Sequence, residues 1–299
     1  MLEAVAVATR LAQYVVLLGL FGAAAYHVYA ARTSPVPSGR GFRNGAAAGL
    51  VVVSLALLVQ AAQMTGSMFG AMDPEAHWAI LTGTSLGVAC WARAFALLGV
   101  LLLFARTPAR PHAFGRATVL SGLAVASLAW NGHGAGGEGA TGLVRLLSTM
   151  AHLLAAGLWF GALILFLRDL VQWRRRDVAA TQAGLAGFAG VGSFCVAVLV
   201  ATGLLNAVLL AGYDPRTLLE TLWGRLLLLK LALFGLMLAL AAHNRFTLTP
   251  SLSRSLSGGQ DHGSVVAKLR RSLVVETSAA LAVVTLVAWL GTLSPTPSA

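Results

Sequence analysis

Met64, Met68 and Met72 recur every fourth residue toward the end of one apolar stretch, His77 follows them, and His133 and His152 flank the gap between two later apolar stretches. Thioether sulfur and imidazole nitrogen are soft to borderline donors, and together they favour Cu(I) over hard ions. On one continuous helix a step of four residues turns about 400°, so the three sulfurs would fan over roughly 80° of one face. Methionine is commonly a pliable packing residue. Gln60, Gln63 and His77 stand close to these three in a chain with only six methionines, which gives a metal role equal weight. His152 is the sharper candidate, because an ionisable ring at membrane depth marks a functional site by default. Its alternative is a neutral imidazole bonded to a neighbouring helix. For His77 and His133 the alternative is a solvated loop residue.

The elements that must position these donors follow from composition. The 299 residues are 58% hydrophobic and 10% charged, with mean hydropathy +0.80, which excludes a soluble globular domain. Windows of about 20 apolar residues, the length that crosses the hydrocarbon core, fall near 11–31, 46–70, 79–105, 117–132, 146–167, 187–211, 223–243 and 273–293. The fold class is therefore all-α, a polytopic membrane bundle of about eight transmembrane helices. Connections are short, so the chain reads as a single integral membrane domain with an amino-terminal four-helix half, 1–142, and a carboxy-terminal four-helix half, 143–299. The 33 glycines suit close helix contact in lipid.

Charge sets the expected orientation. Arg32, Arg40 and Arg43, then Arg106, Arg110 and Arg116, then Arg168 and Arg174 to Arg176, then Arg245, Arg254, Lys268, Arg270 and Arg271 occupy alternate loops. By the positive-inside rule those loops are cytoplasmic and both termini periplasmic. The other side carries Arg10, Arg145, Arg216 and Arg225 with most of the acids: Glu3, Asp73, Glu75, Glu138, Asp214 and Glu220. The formal charge of +11 is thus explained by topology and anionic membrane lipid, not by nucleic acid. Glu3 and the lone Arg10 make a poor basic leader region, so the first apolar run is expected to be kept as helix one. Cys90 and Cys195 lie inside apolar helices and are read as packing residues.

Further polar residues mark the interior. His27, His243 and Glu276 fall near the cytoplasmic boundary and could form an exit site or proton relay, with Glu276 as proton acceptor. Interfacial pairs involving Arg245 are the alternative. Arg93 and Lys230 sit deep in helices three and seven, where a positive charge needs carbonyls, a carboxylate or water and repels a naked cation. That argues for a gated or counter-charged route and against an open cation channel. Asn206 is either interhelical glue or pathway lining.

The segment His152-Leu153-Leu154-Ala155-Ala156-Gly157-Leu158-Trp159-Phe160-Gly161 resembles the helix signature of the bacterial copper resistance D family of inner-membrane proteins. Thr202-Gly203-Leu204-Leu205-Asn206-Ala207, then Trp223-Gly224-Arg225 through Lys230, then His243-Asn244-Arg245 with Pro250, and Arg271 through Glu276 follow in that family's order. Upstream, Thr84-Ser85-Leu86-Gly87 with Trp91 and Arg93, and Gly132-His133-Gly134, are similar to its amino-terminal half. Trp223 stands where a smaller aromatic is expected, and 247–268 differs. The resemblance implies a copper-handling protein of the bacterial inner membrane that works with a small periplasmic copper-binding protein, copper resistance C-like.

The combined expectation is a non-enzymatic protein that receives Cu(I) at Met64, Met68, Met72, His77 and His133, passes it to His152, and delivers it inward through His27 and His243. No G-x-x-x-x-G-K-[ST] loop is present, so any transport is passive, proton-coupled or partner-driven. Two other classes remain open at this stage. One is a b-type haem redox protein using His27 and His243 as paired ligands; the other is a metal-free scaffold for a periplasmic copper protein.

Overall fold

The computed structural model describes residues 1–30, 38–105, 111–131, 139–173, 177–211, 219–258 and 262–293. His133, and with it Arg32, Arg106, Arg110, Glu138, Arg174 to Arg176, Asp214 and Arg216, lies outside the described residues. Eight helices are long and apolar enough to cross a membrane. In chain order the helices are α1 (Leu2–Tyr29), α2 (Arg40–Thr65), α3 (Pro74–Gly83), α4 (Ser85–Leu103) and α5 (Pro111–Ala126), followed by α6 (Gly139–Val171), α7 (Val178–Ala211), α8 (Leu222–His243), α9 (Thr249–Ser257) and α10 (Gly263–Leu290). Helix α5 runs on as a 3₁₀ turn, Ser127–Trp130, and this restores the fourth span to His112–Trp130. All eight expected windows therefore correspond to helices.

Local chemistry decides the ends. Asp73 caps α3 by accepting from the Glu75 N–H at 2.9 Å, with Pro74 in the first turn. Thr84 caps α4 through the Gly87 N–H at 3.0 Å, and Thr221 caps α8 through the Gly224 N–H at 3.0 Å. Two expectations change here. The window 79–105 is two helices, since Thr84 adopts an extended backbone and starts a new helix. The methionine strip is also broken. Gly66 takes the left-handed conformation at φ 68°, which ends α2 at Thr65. Met64 stays on the last turn of α2, Met68 precedes a short 3₁₀ helix and Met72 ends it, so the three do not share one helix face.

Helices α1 and α6 form the central pair. A Cβ on Gly22 of α1 would collide with the Gly157 carbonyl oxygen and press on Gly161, both of α6. Gly157 and Gly161 are a turn apart, so the two backbones touch along a small-xxx-small stripe. Around this crossing α2, α4 and α5 complete one half, while α7, α8 and α10 complete the other. Arg10 near the start of α1 lies against Gly291 at the end of α10, which puts both ends of the described chain at one face of the bundle. This is the terminal face of the bundle.

Because backbone, not a flexible side chain, opposes any added atom at the crossing, Gly161→Leu is expected to destabilise the protein by about 3 kcal/mol or more. Thermal unfolding of the detergent-purified chain would read this as a lower midpoint. An unchanged midpoint would mean the crossing is not close-packed.

Candidate functional site

Helix α6 carries two functions on two faces. At about 100° per residue, Gly157 and Gly161 occupy one side, while His152, Ala156, Trp159, Leu163 and Phe166 share the other. The second stripe faces the cleft, where His152 meets Thr202 of α7 and Trp159 meets Glu276 of α10.

His152 lies at the upper part of this stripe. Its Nδ1 is 2.9 Å from the Thr202 hydroxyl of α7, and that hydroxyl donates to the Val198 carbonyl at 2.5 Å. A hydroxyl has one proton to give. With that proton on Val198, the Thr202 oxygen accepts from the imidazole, which assigns the hydrogen to Nδ1 and leaves the Nε2 lone pair free. This is the arrangement by which a second partner orients a histidine for metal.

Two turns further along α6, the Trp159 indole N–H donates to Glu276 Oε1 of α10 at 3.1 Å. The other carboxylate oxygen accepts from the Asn244 side-chain amide at 2.9 Å. Glu276 is 2% exposed, and both its partners are neutral. Asn244 belongs to a π turn, Asn244–Leu248, that interrupts the helix between α8 and α9. Such turns recur at functional positions because they redirect side chains out of helical register. Arg245 of the same turn donates to the Ala189 carbonyl and the Ser193 hydroxyl of α7.

These residues line two cavities stacked along the cleft. One, of about 300 Å³, is bordered by His152, Trp159, Lys230, Phe234 and Met237 in a largely apolar wall. The other, of about 210 Å³, is bordered by Trp159, Ser193, Asn244, Arg245 and Glu276. Trp159 belongs to both and separates them. Helices α7 and α8 do not pack along one another, and exposed Leu204 and Leu231 stand at the rim of the upper cavity.

The other candidates are dispersed. Met64, Met68 and Met72 are all exposed at the terminal face, beside the exposed aromatics Phe69 and Trp78. His77 on α3 is partly buried, and its Nε2 has no hydrogen-bond partner. Among the described residues no three His, Cys, Asp or Glu side chains converge on one point. His27 packs against Tyr26, Phe42 and Phe114, whereas His243 is exposed at the end of α8, and α1 and α8 do not pack on one another. Glu276 thus meets Trp159 and Asn244, not the two histidines with which it was grouped. Asn206 has a buried amide oxygen without a partner. Arg93 is tied to Ser127 and Asn131. Sequence reasoning missed Thr202, Asn244 and Ser193 as site residues, although the first two stand inside quoted segments.

Among the described residues the structure is an all-helical bundle with eight membrane-length helices, which defines a polytopic membrane protein. The comparisons narrow the class. A family profile described as copper resistance protein D-like, N-terminal domain, matches residues 1–143, and one described as copper resistance protein D matches 182–290. Copper resistance protein D of Pseudomonas syringae pv. tomato is 36% identical over 304 residues, covering 98% of this chain and 97% of the relative. Inner membrane protein YebZ of Escherichia coli (strain K12) is 30% identical over 207 residues, 68% of each chain. The chain belongs to the copper resistance D family and is a multi-pass inner-membrane protein.

A double-mutant cycle tests the Glu276 bridge. Trp159→Phe and Asn244→Leu each remove a hydrogen bond to a buried carboxylate, a loss of about 1.5–3 kcal/mol apiece. In a Glu276→Leu background Trp159→Phe should have less than half its original effect on the unfolding midpoint. Equal effects in both backgrounds would show that Trp159 acts through packing alone.

Proposed function

We propose that this protein binds Cu(I) and carries it across the inner membrane through the cleft between α6, α7, α8 and α10. The observation that carries the reading is the pair of cavities divided by Trp159, with an imidazole lone pair in one and a carboxylate bonded only to neutral donors in the other. The thioether of Met237 adds a soft donor to the His152 cavity. With the termini periplasmic, the orientation that the positive-inside rule favours, Met64, Met68, Met72, His77 and, beyond the described residues, His133 form an outer collecting region. Its exposed methionines suit exchange with a small periplasmic copper-binding protein of the copper resistance C kind. Soft sulfur favours the monovalent ion there.

Lys230 shapes the mechanism. Its ammonium borders the same cavity as His152, and in low dielectric it repels a second cation strongly. Copper therefore occupies the cavity only as Lys230 releases its proton, which makes transport an exchange of Cu⁺ against H⁺. Glu276 receives a proton or the ion beyond Trp159, and His243, exposed at the end of α8, is the last imidazole on the route. Copper here is cargo bound and released, with no bond chemistry performed on it.

An anaerobic Cu(I) competition titration tests the site on the purified chain. His152→Ala and the Met64, Met68, Met72 triple alanine variant should each weaken binding at least tenfold, while Lys230→Met should strengthen it. Cells carrying His152→Ala at equal protein level should show altered copper accumulation. Wild-type binding that none of these changes affects would sink the proposed path.

A further inference from the structure

The amino-terminal half holds a third cavity that the copper path does not use. It has a volume of about 240 Å³ and opens among α1, α2, α4 and the end of the 3₁₀ turn that follows α5, toward the terminal face. Arg10 and Gln13 of α1, Gln60 and Gln63 of α2, Cys90 and Arg93 of α4, and Asn131 are the polar groups on its wall. Among the described residues no aspartate or glutamate lines it.

The charge arrangement is one-sided. Arg93 is 1% exposed, and its Nε donates to the Ser127 hydroxyl at 2.9 Å. Its Nη2 donates to the Ser127 carbonyl at 3.0 Å and to the Asn131 side-chain oxygen at 3.1 Å. These partners satisfy hydrogens but supply no negative charge. Among the described residues Arg168 pairs with Asp169, and neither Arg93 nor Arg10 is paired with a carboxylate there. A buried guanidinium without a counter-charge is strongly disfavoured at membrane depth, and a second guanidinium on the same cavity adds repulsion.

A third observation is independent of charge. Gln13 is 2% exposed, its Oε1 accepts from the Asn131 amide at 3.3 Å, and its Nε2 is buried with no partner. An orphaned buried donor costs about 1–3 kcal/mol unless something absent from the protein accepts from it. Two cations and one unused amide N–H on one cavity share a single remedy.

We propose that this cavity binds one small monovalent anion, of chloride or formate size, held by Arg93, Arg10 and the Gln13 amide. The anion neutralises the amino-terminal half close to Met64 and Gln63, so that a cation can approach the terminal face without meeting two bare guanidinium groups. The site is separate from the α6 cleft, so its test does not depend on copper transport.

The full chain, purified in non-ionic detergent, would be titrated with chloride and with formate against a gluconate background at constant ionic strength. A specific site makes the unfolding midpoint rise saturably with either anion. Gln13→Met and Arg10→Gln should keep the helical circular dichroism signal and raise the half-saturating anion concentration at least tenfold. Arg10 is only partly buried, so its variant folds if the Gln13 change does not. A wild-type midpoint indifferent to both anions, or a dependence that both variants retain, would overturn the proposal.

Discussion

The close crossing of α1 and α6 is the constraint from which the remaining geometry follows. Gly22 meets Gly157 and Gly161 backbone to backbone, a contact that water could not drive inside a bilayer and that dispersion and complementary shape must supply. Fixing that side of α6 fixes the other. Because Gly157 and Gly161 point at α1, His152 and Trp159 are turned to the cleft, and Thr202 and Glu276 meet them from α7 and α10. A single helix thereby joins the two halves and aims the site. The family signature spans both faces of this helix, and packing alone accounts for its glycines.

The two halves differ in how completely they close. Around His27, the rings of Phe42, Phe104 and Phe114 pack within 5.0 to 5.4 Å of one another and fill the end of the amino-terminal half away from the terminal face. Tyr26 and Phe166 extend this aromatic layer to α6. No cleft runs through it. The carboxy-terminal half is looser: the apolar windows of α7 and α8 are each 11% buried, against 50% for α6. A bundle that needed only to be stable would bring α7 and α8 together. Here they remain apart, and the space between them holds His152, Lys230, Glu276 and Arg245.

Much of the fold was legible because one signal governs it. Apolar length identifies a span regardless of its neighbours, so all eight were found. The ends were harder. The period-four methionines read as one helical strip, yet one glycine after Thr65 turns the chain, and propensity in a Gly-Ser segment is too weak to decide between continuation and a cap. His152, Trp159 and Glu276 could be singled out as polar groups at membrane depth. Their partners could not. His152 and Thr202 are 50 residues apart and Trp159 and Glu276 are 117 apart, and no local period links such positions. Asn244 was hidden for another reason, since a π turn shifts it out of the α-helical register on which facing residues are usually assigned. Grouping Glu276 with His27 and His243 by depth alone ignored rotation about each helix axis.

Depth and rotation together also explain why Glu276 is tolerated. The buried Glu276 carboxyl accepts one hydrogen bond at each oxygen, from Trp159 and from Asn244, so two neutral donors hold it in place without a counter-cation. Replacing either donor by a lysine or arginine would pair the charge and lower its affinity for any passing cation. Arg245 is near enough to line the same cavity, yet it is held toward α7 by Ala189 and Ser193. Two neutral donors therefore orient the carboxylate while the nearby cation is held elsewhere. In the other cavity the same logic applies with the sign reversed: Thr202 occupies one nitrogen of His152 and leaves the other bare. His152 is thus oriented through one nitrogen and bare at the other, whereas Glu276 is held at both oxygens, each of which keeps one lone pair for a further partner.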